Sequence, residues 1–119
     1  YTVFVVPDKV EMAAELISKQ KSEAVVVSLG AQGAIVVSGE EAHRVWAPTV
    51  PVQSKVGAGD SMVGGMVMKL AEGSALREAA MYGVAAGTAA VMTPGTGLCR
   101  KEDTERLFRE MTEKSKGGF

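Results

Sequence analysis

The chain has 119 residues, 46% of them hydrophobic, enough to bury the core of one small domain but not of two. Its 13 basic and 14 acidic residues nearly cancel and form no basic run, so the electrostatic footprint of a nucleic-acid or anionic-membrane binder is missing. One cysteine, Cys99, cannot close an internal disulfide, and the longest apolar segment, 82–92, is too short to span a membrane. A soluble, cytoplasmic protein acting on small molecules is expected.

Residues 1–6 are an apolar, β-rich run entered with no preceding residue, as expected for a portion of a longer chain. Pro7-Asp8 then opens a predicted helix to about Gln20. Asp8 is its cap, Glu11 follows as in a capping box, and Val10, Ala13, Leu16 and Ile17 form its buried stripe. Residues 24–29 are continuously apolar between charge and glycine, the pattern of a strand buried on both faces. A second strand is predicted at 34–38.

Between these strands lies Ser28-Leu29-Gly30-Ala31-Gln32-Gly33. It reads either as a plain hairpin turn or as an open sheet edge where a nucleotide can approach the backbone. It is not a dinucleotide fingerprint, because a strand and not a helix follows. Gly39-Glu40-Glu41 turns the chain into a short strand at 43–47, where His43 is a half-exposed strand residue without a metal partner and Trp46 a core or interface residue. Pro48 and Pro51 make 50–54 an edge strand or a rigid connector.

Lys55-Val56-Gly57-Ala58-Gly59-Asp60-Ser61 is the stretch with the clearest chemistry. Glycines on both sides of Ala58 let successive amides converge into an anion cradle. Met62, Val63, Met66, Val67 and Leu70 then predict a helix with one apolar face, whose unpaired N-terminal amides favour a phosphate. Asp60 has two readings: the N-cap of that helix, or a base beside a transferring phosphoryl group. Taken alone, the cap is the simpler one.

Gly73 is the expected C′ residue of this helix and Ser74 the expected N-cap of the next, 76 to about 92. The second helix carries Gly83-Val84-Ala85-Ala86-Gly87-Thr88-Ala89-Ala90, small residues that allow close packing on Gly64 and Gly65 or room for a planar ligand. Thr93-Pro94-Gly95-Thr96-Gly97 ends it in a carbonyl-rich loop able to hold a cation. Cys99 beyond it is expected to be a small semi-buried residue. The final helix, 102–114, points Leu107, Phe108 and Met111 inward, and 115–119 is a frayed tail.

In this order the parts resemble the C-terminal part of the PfkB, or ribokinase-like, family of sugar kinases. The likeness spans Val25 to Leu107 and is most specific at Val56-Gly57-Ala58-Gly59-Asp60-Ser61, which is similar to the end of that family's second signature. The Ser-Leu-Gly-x-x-Gly turn upstream and the Gly-Val-Ala-Ala-Gly helix downstream agree with it. Ser54-Lys55-Val56 and the segments 56–66 and 83–90 look closest to the branch that phosphorylates fructose 6-phosphate.

The resemblance implies a three-layer α/β fold of which residues 1–119 are the nucleotide-binding and catalytic portion. It implies ATP-dependent phosphorylation of a sugar phosphate, fructose 6-phosphate first, with tagatose 6-phosphate and fructose 1-phosphate as alternatives. Asp60 becomes the base, and the amides of Gly57, Ala58 and Gly59 the anion hole. Ser28, Gly30 and Gly33 line the ATP site, with Val84 and Thr88 beside the adenine. A monovalent cation, K+, sits among carbonyls of Ser54, Val56, Ala90, Thr93 and Gly95, although Thr93 and Gly97 depart from the family branch. The sugar-binding half, the lid and the motif organising Mg2+ fall outside this chain, which alone is expected to be inactive. A homodimer is expected of the whole protein, with neither nucleic acid nor membrane as partner.

Two other classes compete. Gly59-Asp60-Ser61 superficially resembles a serine esterase, but the only histidine, His43, lies upstream where a downstream base is needed. A non-enzymatic nucleotide-binding or dimerisation module would use the glycine loop to hold an anion and Asp60 only as a cap.

Overall fold

The computed structural model describes residues 3–7, 24–28, 33–38, 41–53, 57–93 and 100–116. They belong to two units, Tyr1–Trp46 and Ala47–Phe119.

Side chains alternate across a strand, so consecutive buried residues mean that both faces are covered. Val25, Val26 and Val27 of β2 (Ala24–Ser28) are all fully buried, as the unbroken valine run predicts. That strand lies inside a four-stranded sheet of order β1-β2-β3-β4. β1 (Val3–Pro7) runs parallel to it with Val5 opposite Val26, so a crossover must connect them. The helix predicted from Asp8 to Gln20 lies outside the described residues.

β3 (Ala34–Ser38) returns antiparallel, with Ser28 opposite Ala34, and Gly33 enters it at φ 94, a conformation that favours glycine. The short strand expected at 43–47 is instead β4 (Glu41–Val45), paired with Ser38 opposite Glu41. It begins two residues early because the hairpin register fixes its start, and it ends before Trp46. His43 is half-buried on it, opposite Val36, as expected of a strand residue. Trp46 is not core: it is 68% exposed, with the Arg44 guanidinium 3.8 Å above its ring. Residues 46–53, proline-rich, form no strand, which settles them as a connector.

The second unit contains three described helices, α1 (Ala58–Ala71), α2 (Leu76–Val91) and α3 (Lys101–Lys116). α1 ends in a Schellman motif: Gly73, at φ 90, donates its N–H to the Leu70 carbonyl at 3.0 Å, and Ser74 donates to that of Lys69 at 3.0 Å. Gly73 is therefore the C′ residue expected. Ser74, however, is not the N-cap of α2. Its backbone closes the preceding motif, and Ala75 takes the cap position without a side-chain hydrogen bond.

α2 is buried almost all round, residues 82–86 without a break, so it forms the centre of this unit. Small residues make that possible. A Cβ at Gly83 would lie 2.5 Å from Met66 Cγ and 2.8 Å from the Met62 carbonyl oxygen, and one at Gly65 would lie 3.1 Å from Ala86 Cβ. The close helix pair expected from the sequence is thus present, but only Gly65 serves it, since nothing lies within 4 Å of a Cβ at Gly64. Met62 and Met66 face α2 and are buried, whereas Val63 and Val67, about 100° further round the helix, are 40% and 59% exposed. The single apolar face predicted for α1 is accordingly narrower than its sequence pattern.

α3 buries Leu107 and Met111 as predicted, along with Thr104, whose hydroxyl donates to the Arg100 carbonyl at 3.0 Å. Phe108 is half-buried and meets Tyr82 edge-on at 5.2 Å between centroids. Lys69 of α1 lies 4.8 Å above the Tyr82 ring, and Tyr82 donates to Glu105 at 3.0 Å, so one cluster joins all three helices. The helix persists through Lys116, two residues into the tail expected to fray. Cys99 lies outside the described residues.

Candidate active site

The first turn of α1 concentrates the chemistry. Gly57, at φ 83 and ψ −3, is left-handed, a conformation costly for any residue with a Cβ. From it the chain turns directly into the helix, and the first helical bond runs from the Ser61 N–H to the Gly57 carbonyl at 2.9 Å. The amides of Ala58, Gly59 and Asp60 consequently have no acceptor within the helix, and they lie at the positive end of its dipole.

Asp60 is not the N-cap. Gly57 occupies that position three residues earlier, and no side chain caps the helix. Asp60 instead projects from the first turn and is exposed, as is Gly59. A carboxylate and a row of amides unpaired within the helix therefore share one helix end. Ser61 is buried at 7% exposure, the wrong setting for the nucleophile of an esterase.

The remaining predicted site residues fall in separate groups. In the first unit, Ser28 is the last residue of β2 and half-buried, and Gly33 is buried just before β3. Gly30 lies outside the described residues. In the second unit, Val84 and Thr88 stand one turn apart on α2, both buried, and the Thr88 hydroxyl donates to the Val84 carbonyl at 2.8 Å.

Of the predicted cation ligands, Ser54, Val56 and Gly95 are outside the described residues. Ala90 is buried at the end of α2, and its carbonyl accepts the Thr93 N–H at 3.1 Å, leaving a second lone pair. The Thr93 hydroxyl donates to the Ala89 carbonyl at 3.3 Å. Sequence reasoning missed one bond here: the Gln53 N–H donates to the Val91 carbonyl at 2.7 Å, tying the connector to the end of α2. No periodicity or motif announces such a tether. Among the described residues, no three His, Cys, Asp or Glu side chains come together. No helix among them is long and apolar enough to cross a membrane.

Residues 5–103 match the pfkB family of carbohydrate kinases. The ATP-dependent 6-phosphofructokinase isozyme 2 of Escherichia coli (strain K12) is 50% identical over 103 residues, 86% of this chain and 33% of that protein. The 1-phosphofructokinase of Borreliella burgdorferi is 35% identical over 85 residues, 71% of this chain and 27% of that protein. Among solved structures, phosphofructokinase-2 from Escherichia coli in complex with potassium has a TM-score of 0.88 at 38% identity, over 93% of this chain and 41% of that one. The ribokinase of Thermotoga maritima shares the fold, with a TM-score of 0.81 at 24% identity over 91% of this chain and 42% of that one. The chain spans about a third of the length of the curated relatives it matches, 33% in the first case. Its fold is the α/β ribokinase-like one, in part. The matched residues take in the valine strand, the glycine-started helix and the small-residue helix packed against it, and on that evidence the chain belongs to the pfkB family of carbohydrate kinases.

Proposed function

We propose that this chain is the nucleotide-binding and catalytic portion of an ATP-dependent sugar-phosphate kinase, which converts fructose 6-phosphate to fructose 1,6-bisphosphate. One observation carries the reading: left-handed Gly57 starts α1 so that amides unpaired within the helix and the exposed Asp60 carboxylate share one helix end.

That arrangement suits phosphoryl transfer, in which catalysis is mainly positioning and electrostatic stabilisation. The amides of Gly57, Ala58 and Gly59 hold the equatorial oxygens of the γ-phosphoryl group. Asp60 takes the proton from the attacking sugar hydroxyl as the new O–P bond forms, and the bond to the bridging oxygen breaks to release ADP. Ser28, Gly30 and Gly33 are assigned to the nucleotide, with Val84 and Thr88 at its base. Such kinases use Mg2+ with ATP. Among the described residues, no three His, Cys, Asp or Glu side chains group to hold it.

The potassium complex of phosphofructokinase-2 supports a K+ site among the carbonyls of Ser54, Val56, Ala90, Thr93 and Gly95. A tetrameric inhibited form of phosphofructokinase-2 supports self-association of the whole protein, with a homodimer as the expected unit. The lone cysteine and the use of ATP fit a cytoplasmic setting.

The sugar is read from relatives. The 6-phosphofructokinase is 50% identical and the 1-phosphofructokinase 35% identical over a shorter stretch, which favours fructose 6-phosphate. Measuring kcat/KM of the full-length protein with ATP for fructose 6-phosphate, tagatose 6-phosphate and fructose 1-phosphate tests this. Fructose 6-phosphate is expected to lead by at least about tenfold, as hydrogen-bonding sites reject mismatched hydroxyl patterns. A preference for either other sugar would reassign the substrate, and no turnover with any would remove the kinase reading.

A further inference from the structure

We propose that Gly87, by having no side chain, positions the amide of Gly59 in the anion hole. The inference rests on the phosphoryl-transfer reading of the first turn of α1.

At Gly87 the bare backbone of α2 faces that turn. A Cβ there would lie 3.2 Å from the Ala58 carbonyl oxygen, 3.5 Å from Met62 Cβ and 4.0 Å from the Ala58 carbonyl carbon. The Ala58 carbonyl and the Gly59 N–H are the two ends of one planar trans peptide. A push on the oxygen therefore tilts the plane and swings the N–H with it. Gly59 has nothing within 4 Å of its own Cβ position and is exposed, so no packing on that side resists the tilt.

A methyl group at Gly87 demands a shift of a few tenths of an ångström from the carbonyl or the helix. Since a misplacement of roughly 1 Å costs on the order of a hundredfold in rate, a shift of this size should cost about tenfold. The amide serves charge that builds in the transition state, so the loss falls on kcat and not on KM.

Gly65 supplies the matched control. A Cβ there would lie 3.1 Å from Ala86 Cβ and 3.3 Å from Tyr82 Cδ1, equally crowded between the same two helices but away from the first turn. The experiment compares Gly87→Ala, Gly65→Ala and Asp60→Asn in the full-length protein by kcat, by KM for ATP and fructose 6-phosphate, and by denaturation midpoint. Gly87→Ala and Gly65→Ala should lower the midpoint alike, and only Gly87→Ala should lower kcat about tenfold, with both KM values held within about twofold. Equal kcat in the two glycine variants overturns the proposal. So does a Gly87→Ala protein that fails to fold, since Gly87 is then a packing residue. If Asp60→Asn keeps full turnover, the reading of the first turn falls and takes this inference with it. Loss of turnover in Asp60→Asn beside equal glycine variants removes only the role of Gly87.

Discussion

Replacing Asp60 by Asn in the full-length protein is expected to lower kcat by about 10² to 10⁴-fold, the range for removing a positioned general base, while the Kd for ATP changes little. Asn keeps the size of the side chain and loses the ability to accept a proton. Because Asp60 is exposed and does not cap α1, its replacement leaves the helix start intact and should not alter the denaturation midpoint. Kinetics and equilibrium unfolding on one preparation check both halves. A module that only binds nucleotide would show no loss of kcat, and neither would an Asp that served only as a cap, since Asn caps a helix about as well.

Gly83→Ala is the substitution expected to damage the fold most. The new Cβ would stand 2.5 Å from Met66 Cγ and 2.8 Å from the Met62 carbonyl oxygen. Met66 can turn aside, but the carbonyl is backbone and moves only with α1. Overpacking of this kind costs about 1–3 kcal/mol. Gly64→Ala, by contrast, meets nothing within 4 Å and replaces glycine by a better helix former, a gain of about 0.5–1 kcal/mol. Urea unfolding of the two variants should shift the midpoint in opposite directions at an unchanged slope. Equal midpoints would mean that α1 and α2 are not packed as closely as Gly83 requires.

The strands and the glycine-started helix were legible because each is written in local chemistry. An unbroken valine run can be satisfied only where both strand faces are buried, and a glycine ahead of an apolar helix permits the left-handed start that Gly57 adopts. Errors arose where one residue had two suitors. Ser74 is a good N-cap by type, yet the Schellman motif of α1 uses its N–H first and α2 starts one residue later. Asp60 is likewise a preferred cap, but Gly57 begins the helix before it.

The width of a buried face was also invisible. Met62 and Val63 are equally apolar, and only the position of α2 decides that the first is covered and the second 40% exposed. Of the candidate site, the helix end could be read from a few adjacent residues. The residues proposed for the nucleotide are scattered along the chain, Gly30 among them outside the described residues, and spacing alone specifies little.

In the proposed reaction the first turn of α1 grips the transferring phosphoryl group beside Asp60. Amide chemical shifts of Gly57, Ala58 and Gly59, recorded in the full-length protein with ADP, fructose 6-phosphate and aluminium fluoride as a phosphoryl mimic, test it directly. These three amides should move downfield together when the fluoride is added, and move less with ADP and sugar alone. Amides that stay unmoved while the mimic binds elsewhere would contradict it.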